Sequence, residues 1–315
     1  DLVLMSHPVL PVVLQRATAY DRPKLLKQID IAIAGLGRDR SWHGRTVLLK
    51  PNLISASGPA LSCTHPQLVA AAAVWFVDHG ARVIVGDSPA FGSAAGVLAK
   101  RGVADALHGL PIKCIEFAET TEVELSGGVR LKVAAAALQA DLVVGLPKIK
   151  AHQQLLVTMA VKNLFGIVKG TRKALLHMRH GADHHHFAGL LLDLLPLLPA
   201  QLHLADALET MHQSGPLHGS PLSLHCLAAA VNPLALDTAL LAALEIDPDR
   251  SPIARVAKRR GLAGSLPEQV VYPHLDPADF FGSGFVVPEQ LQSIRFHPGR
   301  FVAGMARRAW IRLSG

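Results

Sequence analysis

Cysteine is scarce: the chain of 315 residues holds three, Cys63, Cys114 and Cys226, and they do not cluster. A disulfide scaffold needs paired thiols and a cysteine-ligated iron–sulfur cluster needs four thiolates, so neither is expected. Reduced thiols point to a cytoplasmic setting. Aromatics are sparse at 5% of residues, and Tyr and Phe are not interleaved with Arg or Lys. Stacking on single-stranded nucleic acid is therefore not expected. The longest apolar runs, around residues 68–77 and 190–198, are too short to cross a bilayer. No basic stretch followed by an apolar run and a cleavage site opens the sequence, so no signal peptide is expected. The first residue is Asp1 rather than Met, and a few upstream residues are expected to be missing. Gly-x-Gly-x-x-Gly, a Walker phosphate loop and Gly-x-Ser-x-Gly are absent, which removes the standard nucleotide and serine-hydrolase signatures.

What is present is a globular chain, half apolar and 17% charged. Residues 46–50, 82–86, 112–117, 141–146 and 202–205 are apolar runs bounded by turn residues and read as buried strands. Residues 66–79, 187–195, 234–243 and 253–260 show helical periodicity between or after them. Gly127-Gly128, flanked by apolar residues 123–125 and 129–133, reads as a hairpin turn. Alternating strands and helices predict an α/β fold, a mainly parallel sheet with helices on both faces. Residues 1–299 are expected to form one such domain, as one body or as two lobes about a cleft. Residues 300–315 read as a basic amphipathic helix.

Ligands of parallel sheets bind beyond the carboxyl ends of the strands, and the unusual polar residues fall there. Lys50 and Asn52 follow the first expected strand, and Asp87 and Ser88 the second. Lys148, Lys150 and His152 follow the fourth, and Asp206 closes the fifth. Lys162, Asn163 and Lys173 come shortly after, beside Gly166 and Gly170. Ammonium groups next to glycines suit a phosphate or carboxylate. Solvated loops are the plainer reading for Lys169 and Arg172. Lys148, Lys150 and Lys162 sit in or beside apolar runs, where an unpartnered charge is costly, and that favours a functional role. Asp87 and Asp206 could orient a histidine or cap a turn, readings that stand near parity. Asp237, amid Ala and Leu, reads as structural.

In order along the chain stand Lys50-Pro51-Asn52, Thr64-His65-Pro66, Gly86-Asp87-Ser88-Pro89, Pro147-Lys148-x-Lys150-x-His152 and Val161-Lys162-Asn163-Leu164-Phe165-Gly166. Gly215-Pro216, Gly219-x-Pro221 and Ala235-Leu236-Asp237 follow. This ordered set, over residues 17–296, resembles the family known as domain of unknown function 362. Many members carry a ferredoxin-like cysteine module, which this chain lacks. Ala151 stands where Thr is common, and His212 where an acidic residue is usual. The stretch 141–177 also resembles, more remotely, the core of nickel-pincer lactate racemases. That resemblance implies His65 and His152 as acid/base groups, Lys162 as cofactor anchor and His177 as metal ligand. Ala160-Val161 replaces the Gly-Gly that precedes the lysine in those enzymes.

His177, His180 and His184–His186 have metal-ligand spacing. His177 and His180 are the candidate ligands for a divalent transition metal, and His184–His186 read as a surface loop. The expectation is an enzyme acting on a small anionic substrate by redox or isomerase chemistry. In it Lys50, Asn52, Asp87, Ser88, Lys148, Lys150, Asn163, Lys173 and Asp206 line the anion site, and His65, His152 and Lys162 are catalytic. The rival from another class is a metal- or anion-binding protein without turnover, using residues 177–186.

The net charge of +7 fits an acidic partner or a solubilising surface. Phe301, Val302, Met305, Trp310 and Ile311, among four arginines, could dock on the domain, on a second copy in a homo-oligomer, or on an anionic membrane. If they dock on the domain, a chain ending before Arg300 exposes apolar surface and loses solubility. A truncated chain that stays soluble but no longer sediments with anionic liposomes would select the membrane instead.

Overall fold

The central strands are apolar on both faces, and that dictates layers of helix on either side of one sheet. The structure, a computed structural model, describes residues 9–38, 41–169, 173, 176 and 179–292. His177 and the tail helix expected at residues 300–315 lie outside them. In chain order the strands are β1 (Leu10–Arg16), β2 (Thr46–Pro51), β3 (Arg82–Asp87), β4 (Lys113–Glu116), β5 (Thr120–Leu125) and β6 (Val129–Ala134). They continue as β7 (Leu142–Leu146), β8 (Lys148–His152), β9 (Leu156–Thr158), β10 (Ala200–His212), β11 (Ser220–Ala230) and β12 (Val270–Val271). Among the described residues, ten form one sheet in the order β12-β1-β11-β10-β7-β2-β3-β4, with β8 on β10 and β9 on β8. From β10 to β4 the neighbours run parallel, and β11 is antiparallel to both β10 and β1. The expected α/β architecture is present, and so is the β5–β6 hairpin about Gly127-Gly128.

Alternation along the strands feeds two cores. Val47 and Leu49 of β2, with Leu142, Val144 and Leu146 of β7, pack with Leu25 and Ile29 of the Arg22–Gly35 helix and Leu68 and Phe76 of the Pro66–Asp78 helix. Leu48 and Val143 belong to the other core, with Phe165 and with Phe187, Leu190 and Leu191 of the His184–Leu192 helix. A third cluster seats the Pro233–Ala243 helix on β1 and β11.

Three expectations change. The strand expected at 202–205 runs from Ala200 to His212, because β11 pairs with it along nearly its whole length. Residues 148–152, expected as a loop beyond a strand, are themselves strand β8. Pro147 cannot donate to a ladder, so β7 stops pairing with β10 after Gly145↔His203, and the chain resumes on the same partner at Lys148↔Asp206. His184–His186, expected as a surface loop, form the first turn of a helix. Asp183 caps it, its Oδ1 accepting from His185 N at 2.8 Å and His186 N at 3.1 Å.

Gly145 marks where the sheet meets the candidate site. A Cβ there would overlap the buried His203 ring and sit 3.6 Å from Asn163 Nδ2. Gly145→Ala is expected to cost ~1–3 kcal/mol, the usual range for overpacking a rigid core. Urea unfolding measures it, and an unchanged midpoint would mean that His203 swings aside freely.

Candidate functional site

Lys50 and Asp87 end two adjacent parallel strands, and both are buried. Lys50 Nζ lies 2.8 Å from Asp87 Oδ1. It also donates to Pro51 O at 3.1 Å and to Asn163 Oδ1 at 3.2 Å. Asp87 Oδ2 accepts from Leu53 N at 2.9 Å. Asn163 ties the pair to its surroundings, since its Oδ1 also accepts from Asn52 Nδ2 at 3.1 Å and its Nδ2 donates to Lys50 O at 3.2 Å. Asn163 rides on the short Ala160–Leu164 helix. The carboxylate of Asp237 holds the start of that helix, accepting from Ala160 N at 2.7 Å and Val161 N at 3.3 Å. Asp237 is thus structural, as its apolar neighbours suggested. Gly166 closes over the ion pair, where any Cβ would collide with both Asp87 Oδ1 and Lys50 Nζ. Only glycine lets the backbone approach so far.

A second buried pair stands where β8 begins on β10. Lys148 Nζ is 3.0 Å from Asp206 Oδ1 and donates to the Tyr20 hydroxyl at 3.0 Å. Tyr20 donates in turn to Asp206 Oδ1 at 2.6 Å and accepts from Glu209 N at 3.2 Å. Burial and then Asp206 push the phenol well above its ordinary range. Asp206 Oδ2 accepts from His65 N at 2.8 Å, and the His65 ring stacks on Tyr20 with centroids 3.6 Å apart. Tyr20 escaped the sequence reading. It stands alone before the Asp21 cap of a helix, outside any apolar run, and only contacts with distant parts of the chain reveal it. Asp87 and Asp206 are therefore partners of buried lysines, and neither caps a helix with its side chain.

Three further lysines have no carboxylate partner among the described residues. Lys150 Nζ donates to Asn52 Oδ1 and Ser62 O, both neutral, and burial brings its pKa down to about 7. Lys173 Nζ donates to Ser88 O and, at 3.4 Å, to Gly166 O. Its burial likewise lowers the pKa to about 7, against the pull of Asp87. Ser88 takes part through its main chain, its N donating to Gly166 O at 3.1 Å. Lys162 is partly buried and, among the described residues, has neither hydrogen-bond nor ion-pair partner. Burial and then the charge of Lys50 lower its pKa to about 8. Five lysines thus meet two aspartates.

The two histidines are held alike. His65 Nδ1 accepts from Gln67 N at 3.2 Å, and His152 Nδ1 from Gln154 N at 3.1 Å and Leu155 N at 3.3 Å. A neutral ring with Nδ1 as acceptor carries its proton on Nε2. Burial lowers the pKa of His65. His152 shares one face of β8 with Lys148 and Lys150, because side chains alternate along a strand. His180 Nδ1 lies 2.9 Å from His186 Nε2. His185 and His186 line a cavity of about 420 Å³ with Arg259 and Arg260, and none of the five lysines borders it. Among the described residues, no three His, Cys, Asp or Glu gather as a metal site. None of the described helices is long and apolar enough to cross a membrane.

The sequence model of a family described as a domain of unknown function (DUF362) matches residues 47–242. A thylakoid-associated protein of Synechocystis sp. is 34% identical over 308 residues, 96% of this chain and 96% of that protein. Among solved structures, the lactate racemase apoprotein of Thermoanaerobacterium thermosaccharolyticum superposes with a TM-score of 0.41 and 10% identity, covering 88% of this chain and 86% of that one. A Thermotoga maritima protein superposes with a TM-score of 0.41 and 9% identity, over 66% of this chain and 56% of its own length.

The lysines set a pH dependence. Folded Lys150 and Lys173 titrate near 7 and Lys162 near 8, whereas an unfolded lysine titrates at about 10.4. Between those values the unfolded chain binds more protons, so stability rises with pH. Asp237, raised to about 8 by burial, gives the opposite slope only below that pH, and the buried Cys226 thiol, raised to about 12, gives it above the ordinary thiol range, one group against three lysines. The urea midpoint is expected to rise from about pH 8 to about pH 10 at constant ionic strength, and Lys162→Met to flatten the rise. A midpoint that falls throughout would mean that these lysines are paired and charged.

Proposed function

Given that this chain belongs to the family described as a domain of unknown function (DUF362), we propose that it is an enzyme whose substrate is a small carboxylate- or phosphate-bearing molecule held by Lys150, Lys162 and Lys173. The observation that carries this reading is the excess of lysines. Two of the five are answered by aspartates, and the other three are served by neutral oxygens or by nothing described. Taking an ammonium out of water without a counter-charge costs several kcal/mol, and a bound anion offsets that cost for all three at once. Lys50 and Lys148, fixed by their carboxylates, frame the site rather than grip the ligand.

The roles divide by geometry. With Nδ1 occupied by a backbone N–H group, His65 serves best as an Nε2–H donor to a substrate oxygen, in the way a neutral imidazole acts as an electrophile. Proton transfer then falls to the lysines, whose lowered pKa values suit a general base near neutral pH. Isomerase or redox chemistry on an anionic substrate fits such a set. The name of the Synechocystis relative also favours peripheral membrane contact, and the arginine-rich tail is the segment we assign to it.

Calorimetry with inorganic phosphate and with malonate, in buffers of different ionisation enthalpy, tests the reading. Binding near pH 8 is expected to take up protons as the lysines recharge. Lys150→Met or Lys162→Met is expected to weaken it about tenfold to a hundredfold, the worth of one charge-assisted hydrogen bond. Equal affinity in both variants would remove the anion site. Stoichiometric metal in protein purified without a nickel resin would favour the metal-handling rival.

A further inference from the structure

We propose that the ε-amine of Lys162 forms an imine with the carbonyl carbon of a 2-oxo acid drawn to it by the surrounding lysines. This rests on the anion-site reading above and names its substrate class.

The five lysines are not equivalent. Lys50 is held by Asp87, Asn163 and Pro51 O, and Lys148 by Asp206 and Tyr20. Lys150 is held by Asn52 and Ser62, and Lys173 by Ser88 and Gly166. Those four are buried, and each amine already donates at least two hydrogen bonds. Lys162 is the exception on both counts. It is partly exposed, so a ligand can reach it, and none of its donors is used among the described residues. Nor is it a loose surface lysine. It sits on the five-residue helix that Asp237 anchors at one end and that Asn163 ties to Lys50 and Asn52.

Its electrostatic neighbours are cations. Lys50 acts on Lys162, and Lys162 acts on both Lys150 and Lys173. Such a setting favours the neutral amine, which is the nucleophilic form, while drawing an anion to the same place. A phosphate alone would satisfy the charges and leave the unused amine without a purpose. A carbonyl next to a carboxylate uses both features.

The step balances without an oxidant. The Lys162 nitrogen adds to the carbonyl carbon to give a carbinolamine. The carbonyl oxygen then leaves as water with the two amine hydrogens, and a C=N bond remains. Once protonated, the imine withdraws electrons from the neighbouring carbon on the side away from the carboxylate, so a proton can leave from that carbon. That is the chemistry an isomerase or a lyase needs.

The test is borohydride trapping on the full chain near pH 8 with pyruvate, followed by intact mass and peptide mapping, with phosphate binding measured in parallel. One reduced adduct per chain, on the peptide containing Lys162, is expected. Acetone, a ketone without a carboxylate, is expected to label it at least about tenfold less, the least a charge-assisted contact is worth. Lys162→Arg keeps the charge but cannot form the imine. It is expected to unfold in urea as cooperatively as wild type and to lose the adduct, which also guards against misfolding of Lys162→Met. Phosphate binding with no pyruvate adduct, or equal labelling of wild type and Lys162→Arg, overturns the imine alone. Absence of both binding and adduct overturns the imine together with the anion site.

Discussion

A protonated amine inside a protein must be answered by a counter-charge or by oxygen acceptors, and this molecule is arranged around meeting that demand several times over. Asp87 answers Lys50 and Asp206 answers Lys148, each across adjacent parallel strands. The requirement reaches outward from there. Asn163 is turned so that its oxygen serves Lys50 and Asn52 while its nitrogen returns to the backbone of Lys50. Gly166 has no side chain because the ion pair occupies the space one would fill. Tyr20 brings its hydroxyl to Lys148 and Asp206 together. What is left over is three amines, Lys150, Lys162 and Lys173, that meet no carboxylate among the described residues.

Much of this was legible before any coordinates. The apolar runs of β2, β3 and β7 are short, uninterrupted and bounded by turns, so their limits fell within a residue of the observed strands. A lysine or an aspartate at the end of such a run has few plain explanations, and Lys50, Asp87, Lys148 and Lys150 stood out for that reason. Pairing was not legible. Nothing local says that Lys50 faces Asp87 or that Lys148 faces Asp206, because partner choice depends on strand order. Tyr20 shows the limit best, as a lone aromatic whose role exists only in three dimensions. His177, central to the remote racemase resemblance, falls outside the described residues.

The failure at Pro147 is as informative as the successes. Lys148, Lys150 and His152 were expected to follow a strand, yet the chain resumes pairing with β10 within three residues. One long strand therefore supports β7 with its first half and β8 with its second. Lys148, Lys150 and His152 gain the rigidity of a sheet, and their alternation places all three on one face. A site built on a strand is held more tightly than one on a loop, which suits lysines whose charge depends on their exact surroundings.

The long-range nature of the Tyr20 contacts bears on how the chain acquires its site. Tyr20 meets Lys148 across 128 positions and Asp206 across 186, and Lys50 meets Asn163 across 113. Contacts of such separation form only after the intervening loops have closed, which makes them late and slow events in folding. A nascent chain that has emerged only as far as β7 holds Lys50 and Asp87 but neither Lys148 nor Asp206. The Lys148–Asp206 pair is thus withheld from partly synthesised chains, and its presence certifies that β10 has joined the sheet.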